Sequence, residues 1–216
     1  MVVRTRVPLL EGRRGFLRCA LAGSVILLGG CAVTVPGSET PPQRIRLSSA
    51  TEFAPGTPSV GWVLRVQEPQ TTLSLDTARV VYIAPGGDIQ YLSTAEWASR
   101  GPEMVMELLV ESFQNSNRIL TVGDRRSRIR PDFELESRLT HFQVDANGAD
   151  AGLVRVGLDV SLMQRPRRNS VGSFRFESET LIDPISLANI RAGFNESLEE
   201  VMSLVVEWTL QTGASV

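Results

Sequence analysis

The segment that most constrains the fold is a strict alternation of apolar and polar residues between Val154 and Leu162. Because successive side chains of a strand point to opposite faces, this alternation predicts a β-strand with one buried face and one face in water. Antiparallel sheets are commonly covered on one side in this way. The alternating residues are, on the apolar side, Val154, Val156, Leu158, Val160 and Leu162, and on the polar side Arg155, Gly157, Asp159 and Ser161.

Two further segments predict strands on either side of this one. Phe133, Leu135, Ser137 and Leu139 alternate, but Phe142 and Val144 are out of phase with them, which predicts a β-bulge near His141. Phe174 and Phe176 predict a third strand. Asp145–Gly152 and Arg165–Gly172 have the composition of turns, so the sequence predicts an antiparallel meander.

The first half of the chain predicts shorter strands. A turn at Pro85–Asp88 joins two of them into a hairpin. Ser93–Glu96 has the spacing of a helix capping box. The predicted strands are Gln43–Leu47, Gly61–Val66, Thr77–Ile83, Ile89–Leu92 and Ile119–Val122.

Helical spacing of apolar residues occurs twice, over Pro102–Asn115 and over Ser186–Leu210. Such stripes usually pack on a sheet. Gly213 is predicted to end the second helix. The sequence therefore predicts a single α+β domain over residues 43–216, with an antiparallel or mixed β-sheet and two α-helices packed on one face.

Residues 1–30 are typical of a secretory signal peptide. Five arginines precede an apolar run, Cys19–Leu28, that is too short to span a bilayer. The run ends in Leu28-Gly29-Gly30-Cys31, which resembles a bacterial lipobox. That resemblance implies cleavage between Gly30 and Cys31 and lipidation of Cys31. Residues 31–42 would then form the lipidated N-terminus and a flexible, proline-containing tether.

The signal also resembles a twin-arginine export motif, carried by Arg13, Arg14, Phe16 and Leu17. Gly12 departs from the Ser or Thr that is usual at the first position of that motif. General-pathway signals also contain arginines before an apolar run. The sequence does not decide between the two export routes.

Charge and cysteine content exclude several classes of function. Of 22 basic and 24 acidic residues, the first thirty hold five and one, so the mature chain has a net charge of −6. An acidic chain is a poor non-specific binder of nucleic acid. The chain has two cysteines, Cys19 in the signal and Cys31 at the lipidation site. No thiol then remains for a disulfide, a metal or a nucleophile.

The candidate chemical groups favour structural roles. His141 is the only histidine and lies in no catalytic or metal motif. Asp145 and Asp150 lack the spacing of a calcium loop. We therefore predict no catalytic residue, no cofactor and no metal site. The arginines of Arg125–Arg130 and Arg165–Arg168 could contact anionic headgroups or an acidic partner, although solvated loops are the simpler interpretation.

Trp62 and Trp97 leave two interpretations open. They could line a hydrophobic ligand groove, or they could be core aromatics at the start of a strand and of a helix. The core interpretation is the commoner one for such positions.

The order of these elements resembles the ABC-type transport auxiliary lipoproteins, the family of the paraquat-inducible protein C lipoproteins. The most specific segment is Gln90-Tyr91-Leu92 leading into Glu96-Trp97-Ala98, followed later by Pro131–Leu135 and by Glu207-Trp208 in the last helix. The resemblance covers nearly the whole mature chain. It implies no catalytic residues.

The resemblance implies a lipoprotein at the periplasmic face of the outer membrane. Such a lipoprotein would work with an ABC permease, an ATPase and a mammalian-cell-entry-domain protein in moving lipids or other hydrophobic molecules between membranes. Ala32 after the lipidated cysteine fits outer-membrane sorting in that family.

Two other classes of protein are alternatives. One is a lipid-anchored module that assists lipopolysaccharide or envelope assembly. The other is a periplasmic hydrolase, which is disfavoured because the sequence has no nucleophile–base motif. The oligomeric state is left open between a monomer and a homo-oligomer.

Overall fold

The computed structural model describes residues 41–148 and 150–216. These residues form eight strands and two helices, an α+β fold as predicted. In chain order the elements are β1 (Gln43–Ile45), β2 (Val60–Val66), β3 (Arg79–Ile83), β4 (Ile89–Trp97), α1 (Gly101–Ser116), β5 (Ile119–Gly123), β6 (Phe133–Asn147), β7 (Ala151–Gln164), β8 (Asn169–Ile182) and α2 (Leu187–Ala214).

β6 is the centre of a mixed sheet. One edge of β6 pairs antiparallel with β7, and β7 pairs antiparallel with β8, which confirms the predicted meander. The other edge of β6 is shared by two strands: β2 pairs parallel with its first residues and β3 with its last. β5 extends the β2 branch, and β4 and β1 extend the β3 branch. The sheet is therefore forked on one side of β6.

The connection between β2 and β3 also follows the edge of β6. The backbone N–H of Gln67 donates to Leu135 O (2.9 Å), and that of Gln70 donates to Ser137 O (2.9 Å). The N–H of Leu139 donates in return to Gln70 O (2.8 Å). These bonds satisfy backbone groups of β6 between the two branches, which would otherwise be left without partners in the fork.

The core lies between the sheet and the helices. All five apolar residues of the β7 alternation are buried, each at most 2% exposed. α2 packs on β7 and β8, and α1 packs on β5, β2 and α2. Burying one such aliphatic side chain stabilises the fold by about 1.5–3 kcal/mol, so the alternation and the two helical stripes contribute a large part of the core energy.

The predicted bulge near His141 is confirmed. The register between β6 and β7 shifts between Leu139 and His141. Leu139, Phe142 and Val144 are all buried as a result. One extra residue therefore keeps both halves of β6 facing the core.

Both predicted turns of the meander are shorter than expected, and those predictions are wrong at their boundaries. β6 continues to Asn147 and β7 begins at Ala151, so only residues 148–150 separate them. β7 and β8 are joined by residues 165–168. Polar residues such as Asp145 continue these strands because they lie on the water-facing side and pair there with arginines.

The capping box predicted at Ser93–Glu96 is also wrong. β4 continues through these residues to Trp97, and α1 begins at Gly101, with Pro102 in its first turn as predicted. The register from Ile45 and Arg44 of β1 to Trp97 and Glu96 of β4 holds this segment extended. Strand pairing outweighs the local capping preference.

Gly213 does not end α2, which continues to Ala214. A Cβ at Gly213 would lie 2.5 Å from Cζ2 of Trp62, so the glycine makes room for the indole. At the other end, Ser186 precedes the helix and caps it, because its hydroxyl accepts a hydrogen bond from the N–H of Asn189 (3.2 Å).

Candidate functional site

The predicted lipidation and export residues lie outside the described residues. These are Cys31 and Gly30 at the cleavage site and Arg13, Arg14, Phe16 and Leu17 in the twin-arginine-like motif. In residues 41–148 and 150–216, no helix is both long enough and apolar enough to cross a membrane. The described residues begin at Pro41, the second-last residue of the predicted tether.

The segment from Tyr91 to Trp97 forms a large bulge between β3 and β4. Arg79 pairs with Glu96 and Val81 pairs with Tyr91, so five steps along β4 face two steps along β3. The N–H of Trp97 donates to Ala78 O (2.6 Å) at the end of the bulge. Tyr91 points outward, with the Arg79 guanidinium 5.4 Å from its ring centroid.

Trp97 lies in the core and not in a ligand groove. It is 2% exposed and packs with Phe142 and Phe194, with ring centroids 5.1 and 4.8 Å from its own. Phe142 and Phe194 are 4.9 Å apart, so the three rings form a closed cluster between β4, β6 and α2. The core interpretation of Trp97 is confirmed.

Trp62 also packs internally. Its ring lies 4.8 Å from that of Phe133, and its other side meets α2 at Gly213. The indole Nε1 is buried and has no hydrogen-bond partner among the described residues. Trp62 therefore joins β2, β6 and the end of α2.

The β-bulge in β6 places His141 opposite Gly157 of β7. Its Nδ1 lies 3.9 Å from Oε1 of Glu177 on β8, and the histidine side chain is partly exposed. Within the described part of the chain, no three His, Cys, Asp or Glu side chains are grouped so as to hold a metal ion. This environment is that of a polar residue on the open face of a sheet.

The open face of β6–β8 carries a lattice of cross-strand ion pairs. Arg155 contacts Glu179 at 2.7 Å and Asp145 at 3.3 Å. Asp159 accepts hydrogen bonds from Nε of Arg175 (2.5 Å) and Nη2 (3.0 Å). These bonds from Arg175 lower the pKa of Asp159 below its ordinary value, against the opposing effect of desolvation. These charged side chains pair across neighbouring strands, and they keep this face of the sheet exposed to solvent.

The two basic loops are partly neutralised by acidic residues. Arg126 contacts Glu103 of α1 at 2.9 Å, and Arg168 pairs with Glu136 of β6. Glu134 is buried, with Nη1 of Arg65 at 3.3 Å and Nε of Arg165 at 3.8 Å. Most arginines of the two loops are nevertheless exposed, as the solvated-loop interpretation expects, and only Arg165 is partly buried.

A polar cleft lies where the sheet forks. Its volume is 480 Å³. Both basic loops contribute to it, Arg125 from one and Arg165 and Arg168 from the other. The remaining lining residues are Gln67, Glu68, Gln70, Glu134, Glu136 and Ser137. Its mixed charges suit hydrogen bonding to a polar partner and do not suit the burial of an acyl chain.

β8 is the longest outer strand described. It has 14 residues and pairs only with β7 among the described strands, so its outer edge keeps backbone groups available for another chain. Phe174 and Leu181 on this strand are 55% and 64% exposed. Periodicity identified part of this strand, but only the topology shows that it is an edge.

The fold and these surfaces are those of an α+β domain with a forked mixed sheet, a charged sheet face and an open edge. The chain belongs to the family of ABC-type transport auxiliary lipoprotein components, whose model matches residues 46–182. The resemblance inferred from the sequence is thereby confirmed at the level of the family.

Several known proteins are similar to this chain, among them the following two. A curated, uncharacterised protein from Bradyrhizobium diazoefficiens is 25% identical over 204 residues, which is 93% of this chain and 52% of that protein. The chain thus spans about half the length of this relative. The crystal structure of a Xanthomonas campestris protein from the DUF330 family has a TM-score of 0.73 and 24% identity, covering 80% of this chain and 98% of that one. The latter shows a shared fold.

Proposed function

We propose that this chain is a periplasmic lipoprotein anchored in the outer membrane that assists an ABC transport system in moving lipids or other hydrophobic molecules between the membranes. The observation that carries the proposal is the family match over residues 46–182. Leu28–Cys31 supports the lipid anchor, and Ala32 supports sorting to the outer membrane.

The mechanism is positional. Lipid on Cys31 holds the chain at the membrane, and Ala32–Pro42 gives the body a reach of at most roughly 40 Å. Two or more acyl chains anchor stably where one does not. The body then presents its docking surfaces to the other components of the system, an ABC permease with its ATPase and a mammalian-cell-entry-domain protein.

The outer edge of β8 is the surface that best fits docking of the mammalian-cell-entry partner. It offers a row of backbone donors and acceptors over 14 residues, which is enough for another strand to add to the sheet. The cleft at the fork is polar and does not suit a hydrophobic molecule. The partner proteins would therefore bind the transported molecule.

Photo-crosslinking in cell envelopes tests the proposal. A photoreactive residue replaces Phe174 on β8 in one variant and Leu120 on β5, which is 65% exposed on the opposite branch, in a matched control. We expect mass spectrometry to recover a mammalian-cell-entry protein from position 174 and much less of it from position 120.

Other outcomes favour the alternatives. Recovery of lipopolysaccharide-assembly components alone would replace this proposal with the envelope-assembly one. Turnover of ester substrates by the purified protein would favour a hydrolase. Equal recovery of the mammalian-cell-entry protein from both positions would keep the transport role but contradict docking at β8.

A further inference from the structure

We infer that a basic groove beside β1 binds the anionic phospholipid headgroups of the membrane that carries the lipid anchor. The groove has a volume of 610 Å³ and lies between β1 and the start of α2. It is lined by Gln43, Arg44, Ile45, Arg46, Leu187, Ala188 and Arg191. The inference rests on the proposed anchoring at Cys31, because that anchoring puts this end of the chain next to a membrane.

The groove carries positive charge that the protein leaves available. Arg44, Arg46 and Arg191 are exposed, and no acidic residue is among the lining residues. Within residues 41–148 and 150–216 none of the three makes an ion pair, whereas the arginines on the open sheet face do. Three guanidinium groups without an ion pair around one groove match a surface of phosphates.

Acidic residues border the groove without lining it. Glu96 is the neighbour of Arg44 across the β1–β4 pairing. Glu107 and Glu111 of α1 line the next groove, which shares Arg46. These carboxylates belong to β4 and α1, whereas the arginines of the groove belong to β1, the residue after it and α2.

Burial and hydrogen bonds fix the backbone that carries these three arginines. Ile45 is 4% exposed, and its carbonyl accepts a hydrogen bond from the N–H of Ala98 (2.9 Å). The chain after β1 is fixed to α2, because the N–H of Ser48 donates to Oδ1 of Asn195 (2.9 Å). Arg191 lies about one turn before Asn195 on the same helix, so the fold holds the backbone on both sides of the groove.

The position of the groove in the chain identifies its occupant. Gln43 lines the groove and directly follows the tether, and Cys31 lies twelve residues before it. The tether keeps the groove within roughly 40 Å of the lipid. At that separation headgroups are present at high effective concentration, so a weak contact is enough to orient the body on the membrane. We therefore assign the groove to the membrane and not to soluble phosphate.

Vesicle flotation of the unlipidated protein tests this inference separately from the lipid anchor. The probe is the mature chain from residue 31 with Cys31→Ala, mixed with vesicles of phosphatidylcholine alone or of phosphatidylcholine and phosphatidylglycerol in equal parts. We expect binding to the anionic vesicles only, and weaker binding at high salt. Substituting Arg44→Gln, Arg46→Gln and Arg191→Gln should weaken it on the order of 100-fold, at about fivefold for each arginine.

A matched variant controls for net charge. Arg128→Gln, Arg130→Gln and Arg167→Gln remove three exposed arginines from the two basic loops. We expect this control to lose less than about tenfold. Equal losses in the two variants, or equal binding to the neutral vesicles, would overturn the groove assignment. Both outcomes are independent of lipidation and of partner docking. Lipidation is measured by the N-terminal mass of the native protein, and partner docking is measured by the crosslinking.

Discussion

At the scale of single residues, two glycines set how closely α2 approaches the sheet. A Cβ at Gly193 would lie 2.9 Å from Cγ2 of Ile182 and 2.9 Å from Cγ2 of Val154. Gly213 makes the corresponding approach to Trp62. Helix propensity favours alanine over glycine by about 1 kcal/mol, so these glycines are explained by packing and not by the helix itself.

Gly193→Ala should therefore destabilise the protein although it improves helix propensity. The added methyl group meets two branched side chains that cannot easily rotate away, and overpacking of this kind costs about 1–3 kcal/mol. Chemical denaturation measures the change. Gly61→Ala is the control, because a Cβ there meets nothing within 4 Å. A Gly193→Ala protein as stable as the wild type would contradict this packing.

The Asp159–Arg175 pair makes stability depend on pH in a defined direction. Hydrogen bonds from Arg175 hold the pKa of Asp159 below its ordinary value of 3.8. Because the folded-state pKa is the lower one, the stabilisation is present above pH 3.8 and is lost as the pH falls through the folded-state value.

Asp159→Asn should lower the melting temperature slightly at neutral pH and by less as the pH falls below about 4. Thermal unfolding at several pH values measures the difference from wild type. Asp88→Asn removes an exposed carboxylate without an ion pair in the described part of the chain, and it serves as the control. A difference at Asp159 that grows on acidification would contradict the assigned pair.

At the scale of elements, the Tyr91–Trp97 segment shows how one bulge gives neighbouring residues different roles. Three extra residues on β4 turn Tyr91 to the surface and Trp97 into the core. The segment is the most specific part of the family resemblance. The change of face places a surface aromatic residue and a core aromatic residue on the same strand.

Trp97→Ala and Tyr91→Ala should differ sharply in their effect on stability. Trp97 is 2% exposed within the aromatic cluster, and its removal should cost about 3–5 kcal/mol. Tyr91 is 37% exposed and contacts Arg79, so its removal should cost less than about 1 kcal/mol. Urea denaturation of the two variants measures both values. Similar losses would mean that the bulge does not separate the two side chains as described.

Elements whose hydrophobic pattern repeats over many residues could be predicted from the sequence. Elements that depend on pairing with a distant strand could not. The β7 alternation and the α2 stripe repeat over many residues, so one buried face follows directly from them. At Ser93–Glu96 a local capping preference competes with the pairing of β1, and only the tertiary structure shows which prevails. The groove beside β1 was missed for the same reason, since Arg44 and Arg191 are far apart in sequence and meet only in the fold.

At the scale of the whole molecule, β1 and β8 are the two ends of the strand order β1-β4-β3-β6-β7-β8. β1 is the first strand after the predicted tether, and the outer edge of β8 is the proposed docking surface. The start of α2 connects the two, because Arg191 lines the groove beside β1 and Gly193 packs against Ile182 of β8. The groove and β8 share no lining residue, so a membrane contact and a partner strand would use different side chains.

The proposed lipid on Cys31 would hold the domain at the membrane, and membrane fractionation of Cys31→Ala tests this anchor most directly. We predict that the variant accumulates as unprocessed precursor, or as mature protein that leaves the membrane in high salt with its fold intact. The wild-type protein should stay membrane-bound and carry an acylated N-terminal cysteine by mass spectrometry. Mature Cys31→Ala protein that remains membrane-bound in high salt would contradict the account.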